Sequence, residues 1–140
     1  MKKILIITLV CMILCFTACS ARLPYDLEGT YSIEIHAYGN ESAEPVAEFV
    51  VKGEDAERIV EMFSALKLKE MKYTEPSICG YTFWFRDSNG NEIAKIELTY
   101  GQSPWVVASG TVYQDVNGGI DTEYLDQLVD IASTAGPMVK

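Results

Sequence analysis

Several side chains in this sequence have the types and spacings that chemistry needs. His36 is the only histidine. It alternates with Glu34 and Tyr38, so on a strand all three share one face and the carboxylate can orient the imidazole as a general base requires. No serine stands in the sharp strand-to-helix turn that presents a nucleophile, and the same alternation describes a solvated strand face. Ser64-Ala65-Leu66-Lys67 has the spacing at which a lysine activates a serine, but its usual companions, Ser-Asp-Asn and Lys-Thr-Gly, are missing. Asp87-Ser88-Asn89-Gly90-Asn91-Glu92 sets oxygen ligands at alternate positions. Its glycine is misplaced for a twelve-residue calcium loop and no acid closes one, whereas a tight hairpin uses all six residues. The reading is therefore no metal, no cofactor and no assembled catalytic set. The residues best suited to function are Trp84, Arg86, Ile93 and Lys95, joined by Trp105. They put aromatic, aliphatic and basic groups on the non-core face of a sheet, the mixture found at interface anchors.

The chain of 140 residues has room for one core of ordinary size. Its 11 Lys+Arg against 20 Asp+Glu give a formal net charge of −9. That excess of acid lacks the basic footprint of a nucleic-acid binder, so no nucleic-acid partner is expected.

Met1–Lys3 is basic, and an uncharged, mostly apolar run extends from Ile4 to Ala18. The run is short for a spanning helix and reads as a leader covering residues 1–18. It ends in Phe16-Thr17-Ala18-Cys19, which resembles the lipobox of bacterial lipoproteins, with Phe16 in place of the commoner aliphatic residue. The resemblance implies a diacylglyceryl group on the Cys19 thiol, cleavage before Cys19 and acylation of the new amine. An ordinary signal peptide cut after Ala18 or Ala21 is the alternative. Acyl chains bind membranes with about 0.8 kcal/mol per buried methylene. The expected location is thus extracytoplasmic, lipid-anchored to the bacterial cell membrane. Cys11 and Cys15 would leave with the leader and Cys19 would carry lipid. Cys79 then remains alone, without a disulfide partner, and reads as a small buried hydrophobe. Losing Lys2 and Lys3 makes the remainder more acidic still, which predicts a domain held off anionic headgroups.

The elements follow from periodicity. Residues 19–27 read as the lipidated cysteine and a short tether, and residues 28–136 as a single domain. Thr30–Tyr38 alternates as a half-buried strand, and Ala47–Lys52 returns beside it across the Gly39–Pro45 turn. Ala56, Ile59, Val60, Phe63 and Leu66 recur at helical spacing after an acidic start at Glu54, Asp55 and Glu57. Leu68–Tyr73 reads as a strand. Asn89-Gly90 marks a two-residue hairpin loop, so Gly80–Tyr100 forms a hairpin in which Arg86 faces Ile93, Phe85 faces Ala94, Trp84 faces Lys95 and Tyr81 faces Leu98. Its core face is Tyr81, Phe83, Phe85, Ala94, Ile96 and Leu98. Trp105–Ser109 and Thr111–Tyr113 give one bent strand or two short ones, Asp121 caps a last helix, and Gly136-Pro137 stops it.

This order predicts an α+β fold, an antiparallel sheet with two helices packed on one face. From residue 47 the order resembles that of TBP-like folds, and a cystatin-like arrangement with one cradled helix is the alternative. The acidic start at Glu54, the aromatic run Tyr81–Phe85 and the pair Ile120-Asp121 also resemble small lipoprotein domains of low-GC Gram-positive bacteria, a resemblance of structural motifs that implies no activity. The function expected is a non-catalytic binding module of the cell envelope, its partner an envelope protein or a small envelope ligand. The rivals are a small enzyme using His36 with a carboxylate and an accessory structural lipoprotein.

Overall fold

Ile33, Ile35 and Ala37 alternate with Ser32, Glu34, His36 and Tyr38, and only the first set is buried. In the computed structural model of the chain, which describes residues 20–39, 43–72, 79–99 and 104–135, this segment is strand β1 (Ser32–Tyr38). It is followed by β2 (Pro45–Lys52), helix α1 (Glu54–Ser64), β3 (Leu68–Glu70), β4 (Cys79–Arg86) and β5 (Glu92–Thr99). Then come β6 (Trp105–Ala108), β7 (Thr111–Asp115) and helix α2 (Thr122–Ala135). The seven strands form one antiparallel sheet in the order β2-β1-β4-β5-β6-β7-β3. The leader with Cys19, Tyr73, Tyr100 and the Gly136-Pro137 stop lie outside the described residues.

Both helices cover the same face. Ala56, Ile59 and Phe63 of α1 and Tyr124, Leu125 and Leu128 of α2 join one core with Phe83, Phe85, Ile96 and Val106 of the sheet. Phe63 meets Phe83 and Phe85 edge-on, at centroid distances of 5.1 and 5.7 Å. The fold is therefore α+β with two helices on one face, and the single cradled helix of the cystatin-like alternative is not what forms. Asp121 caps α2 by accepting the Tyr124 N–H at 3.0 Å, and its other oxygen takes Arg58 Nη2 at 3.0 Å. The Tyr124 hydroxyl donates to Asp55 at 2.7 Å, and Arg58 lies 3.6 Å from the Tyr124 ring centroid. Burial and the Asp55 carboxylate push that phenol up to about 12. The starts of the two helices are thereby tied together.

Three local readings are settled, the first and third as corrections and the second in favour of two short strands. The β4–β5 loop has three residues, not two: Asp87 N–H donates to Asn91 O at 2.9 Å and Gly90 N–H to Asp87 O at 3.1 Å, with Gly90 at φ 84°. That geometry alone would slip the register by one, but an irregularity between Phe85 and Arg86 pairs Arg86 with Glu92 and restores the expected Phe85–Ala94, Trp84–Lys95 and Tyr81–Leu98 pairs. Second, β6 and β7 are separate strands joined at Ser109-Gly110, where both residues have positive φ, 51° and 76°. A two-residue turn with φ > 0 at both positions matches the twist of a hairpin. Third, residues 20–27 are no free tether. Ala21 pairs with Leu68 through backbone hydrogen bonds of 2.8 and 3.0 Å, Leu23 and Tyr25 pack on the core, and Leu27 is 3% exposed.

Candidate functional site

The sheet face opposite the helices carries the polar and aromatic side chains. Strand register arranges them in two rows: Glu34 beside Trp84 beside Lys95, and Glu48 beside His36 beside Thr82 beside Glu97. Alternation along β1, β4 and β5 is what delivers them there, since Ile35, Phe83 and Ile96 take the buried side of the same strands.

Within these rows the contacts are specific. Glu34 bridges two side chains, accepting Arg86 Nη2 at 2.9 Å on one oxygen while the other lies 3.1 Å from His36 Nε2. The Arg86 guanidinium, more than any other group, holds the Glu34 carboxyl below its usual range. His36 Nδ1 stands 3.8 Å from Glu48, and the imidazole lies 4.5 Å from the Trp84 ring centroid at 58°. Lys95 places its ammonium 5.6 Å from the Trp84 centroid and 2.6 Å from Glu97 Oε1, and that hydrogen bond keeps the ammonium charged to higher pH.

Beside them opens a cleft of about 330 Å³ lined by Tyr38, Ala43, Cys79, Thr82, Trp84, Lys95 and Glu97. Cys79 donates to Tyr81 O at 3.4 Å and lies 3.5 Å from Thr82 Oγ1, and burial pushes its thiol up, away from the thiolate a nucleophile needs. His36 orients on Glu34 but does not line the cleft, and among the described residues its side-chain contacts are with Glu34, Glu48 and the Trp84 indole. The arrangement suits binding: an indole wall, a hydroxyl and an ion pair, at the small end of the volumes that hold ligands.

The sequence-predicted residues divide. Trp84 and Lys95 meet at the cleft, and Arg86 joins them through Glu34. Ile93 does not: the irregularity beside it turns it to pack on the core. Trp105, half-buried on β6, donates its backbone N–H to Thr99 Oγ1 at 2.9 Å and does not line the cleft. Cys19 lies outside the described residues. Ser64 and Lys67 are both exposed at the exit of α1, and the Lys67 N–H is spent on Asn117 Oδ1 at 3.1 Å. Asp87 uses its carboxylate to hold the turn, accepting N–H groups of Asn89 and Asn91 at 2.8 and 2.9 Å. Among the described residues no group of three potential metal ligands assembles. Sequence reasoning missed Tyr38, Thr82, Cys79 and Glu97 as cleft residues; the alternation that put Tyr38, Thr82 and Glu97 on this face was the available signal.

No family model matches the chain, and no curated protein or solved structure matches it. The site therefore stands on its own geometry.

Proposed function

We propose that this protein is a non-catalytic binding module of the bacterial cell envelope, held to the outer side of the membrane through lipid on Cys19. The cleft beside Trp84 and Lys95 is its ligand site. One observation carries the reading: among the described residues the helices cover one sheet face only, and the other face concentrates an indole, an imidazole and paired charges around a cleft. Buried cores do not need such a face, whereas recognition of an envelope protein side chain or a small envelope ligand does.

Trp84→Ala and Lys95→Ala, made separately, test it. Each removes a wall of the cleft while leaving the helix-side core intact. Crosslinking in intact cells should recover a partner or ligand with the native chain and lose it with either variant at unchanged protein level. Equal recovery from all three chains would sink the site. Cys19→Ser should abolish fatty-acid labelling, and persistence of the label would sink the anchor.

A further inference from the structure

The negative net charge conceals a basic edge. Of the lysines and arginines among the described residues, Arg58, Arg86 and Lys95 each form an ion pair, and Lys52 stands over the Tyr31 ring at 5.4 Å. The other four, Arg22, Lys67, Lys69 and Lys72, are exposed, and none forms an ion pair among the described residues. All four are on or beside one element. Ala21 pairs with Leu68 in antiparallel sense, which sets Arg22 beside Lys67 and Ser20 beside Lys69, with Lys72 just past the end of β3. Glu70 is the carboxylate on the same strand. Asp115, opposite Leu68, accepts the N–H groups of Asn117 and Ile120 at 3.1 and 3.3 Å, so these two carboxylates stand against four basic side chains and the edge keeps a positive excess.

We infer that this β3 edge is a docking surface for the anionic lipid headgroups of the membrane. The inference rests on the lipid-anchored reading above, because the edge adjoins the start of the described chain at Ser20, next in sequence to Cys19. Residues 21–27 belong to the fold, so no slack separates an anchor at Cys19 from the domain. Whatever surface surrounds Ser20 is pressed to the bilayer. Here that surface is positive, and the acidic remainder is repelled from the same headgroups. The two effects act in one direction and stand the domain on its β3 edge. The cleft over β1, β4 and β5 is then three to five strands away, about 15–25 Å along the sheet at ordinary strand spacing. Uniform repulsion from the membrane, the expectation from net charge, is replaced by a polarised domain.

The test is amine footprinting with mass spectrometry on the full chain, made with its own leader and reconstituted into phosphatidylcholine vesicles with or without phosphatidylglycerol. A basic residue near an anionic surface gains about 1 kcal/mol, roughly fivefold in occupancy. Labelling of Lys67, Lys69 and Lys72 should therefore fall about fivefold on phosphatidylglycerol and recover in high salt, while Lys52 and Lys95 label equally on both vesicles. Equal labelling of all five lysines on both vesicles, or equal protection of all five, overturns the basic edge if Cys19 carries its lipid mass. A vesicle-bound chain whose mass lacks diacylglyceryl at Cys19 overturns the anchor and this orientation with it.

Discussion

Glu34 shows how a single carboxylate organises the outer face. It takes Arg86 on one oxygen and faces His36 with the other, and each of these side chains adjoins Trp84 or its strand. Because the folded state holds its pKa below the ordinary 4.5, the stabilisation is fully present above pH 4.5. It is lost as pH falls through the folded value, since the unfolded chain takes up the proton first. The side chains are a third exposed, so the pair is worth about 0.5–1 kcal/mol after screening. Glu34→Gln should cost that amount at pH 7 and progressively less as the pH falls below 4.5, as read by urea unfolding at a series of pH values. A cost independent of pH would mean that packing rather than charge is lost. His36 in this setting is a positioned aromatic: its ring fills the space beside the indole, and the catalytic dyad that its spacing from Glu34 permits has no group to act on among its observed contacts.

At the scale of elements, what could be read from sequence was whatever obeys a period. The faces of β1, β4 and β5 and the buried stripe of α1 follow from alternation and from apolar residues three and four apart, so the core and the candidate face were both legible. Bulges were not, because one inserted residue leaves the composition unchanged while turning a side chain over. Ile93 was lost from the site for that reason. The cleft was not legible either, since its residues come from β1, β4, β5 and the β1–β2 connection, and the order of those strands is a long-range property. The β6–β7 turn stayed open between one bent strand and two short ones because Ser109 is an unusual residue for φ 51°. A side chain in the left-handed region costs about 1–2 kcal/mol, a penalty that Asn largely escapes. Ser109→Asn should therefore raise stability by about 0.5–1 kcal/mol, and Ser109→Val should lower it by at least about 1 kcal/mol. Thermal unfolding of the two variants checks both signs. If Val and Asn behave alike, the turn does not hold Ser109 in the left-handed region.

On the scale of the whole molecule, the N-terminal segment decides how the domain relates to whatever holds it. A free tether would let the sheet tumble at the end of a short leash. A packed one would transmit the direction of an anchor to the sheet through β3, which is bonded in turn to β7 by the Leu68–Asp115 and Glu70–Tyr113 pairs. The difference is energetic and measurable. Leu27 is 3% exposed among core side chains, so Leu27→Ala should cost about 2–3 kcal/mol, whereas truncating a residue on a solvated tether costs nothing. Ala21→Pro removes the N–H that donates to Leu68 O at 2.8 Å and should cost about 1 kcal/mol. Its sharper readout is local. The Leu68 N–H donates back to Ala21 O at 3.0 Å, so its hydrogen exchange should accelerate in Ala21→Pro while amides in the β4–β5 hairpin keep their protection. If Leu27→Ala leaves the urea midpoint unchanged and the Leu68 amide exchanges as fast in the native chain as in Ala21→Pro, residues 20–27 are a leash after all. The proposed seating of the β3 edge beside a membrane then fails, whatever the charge it carries.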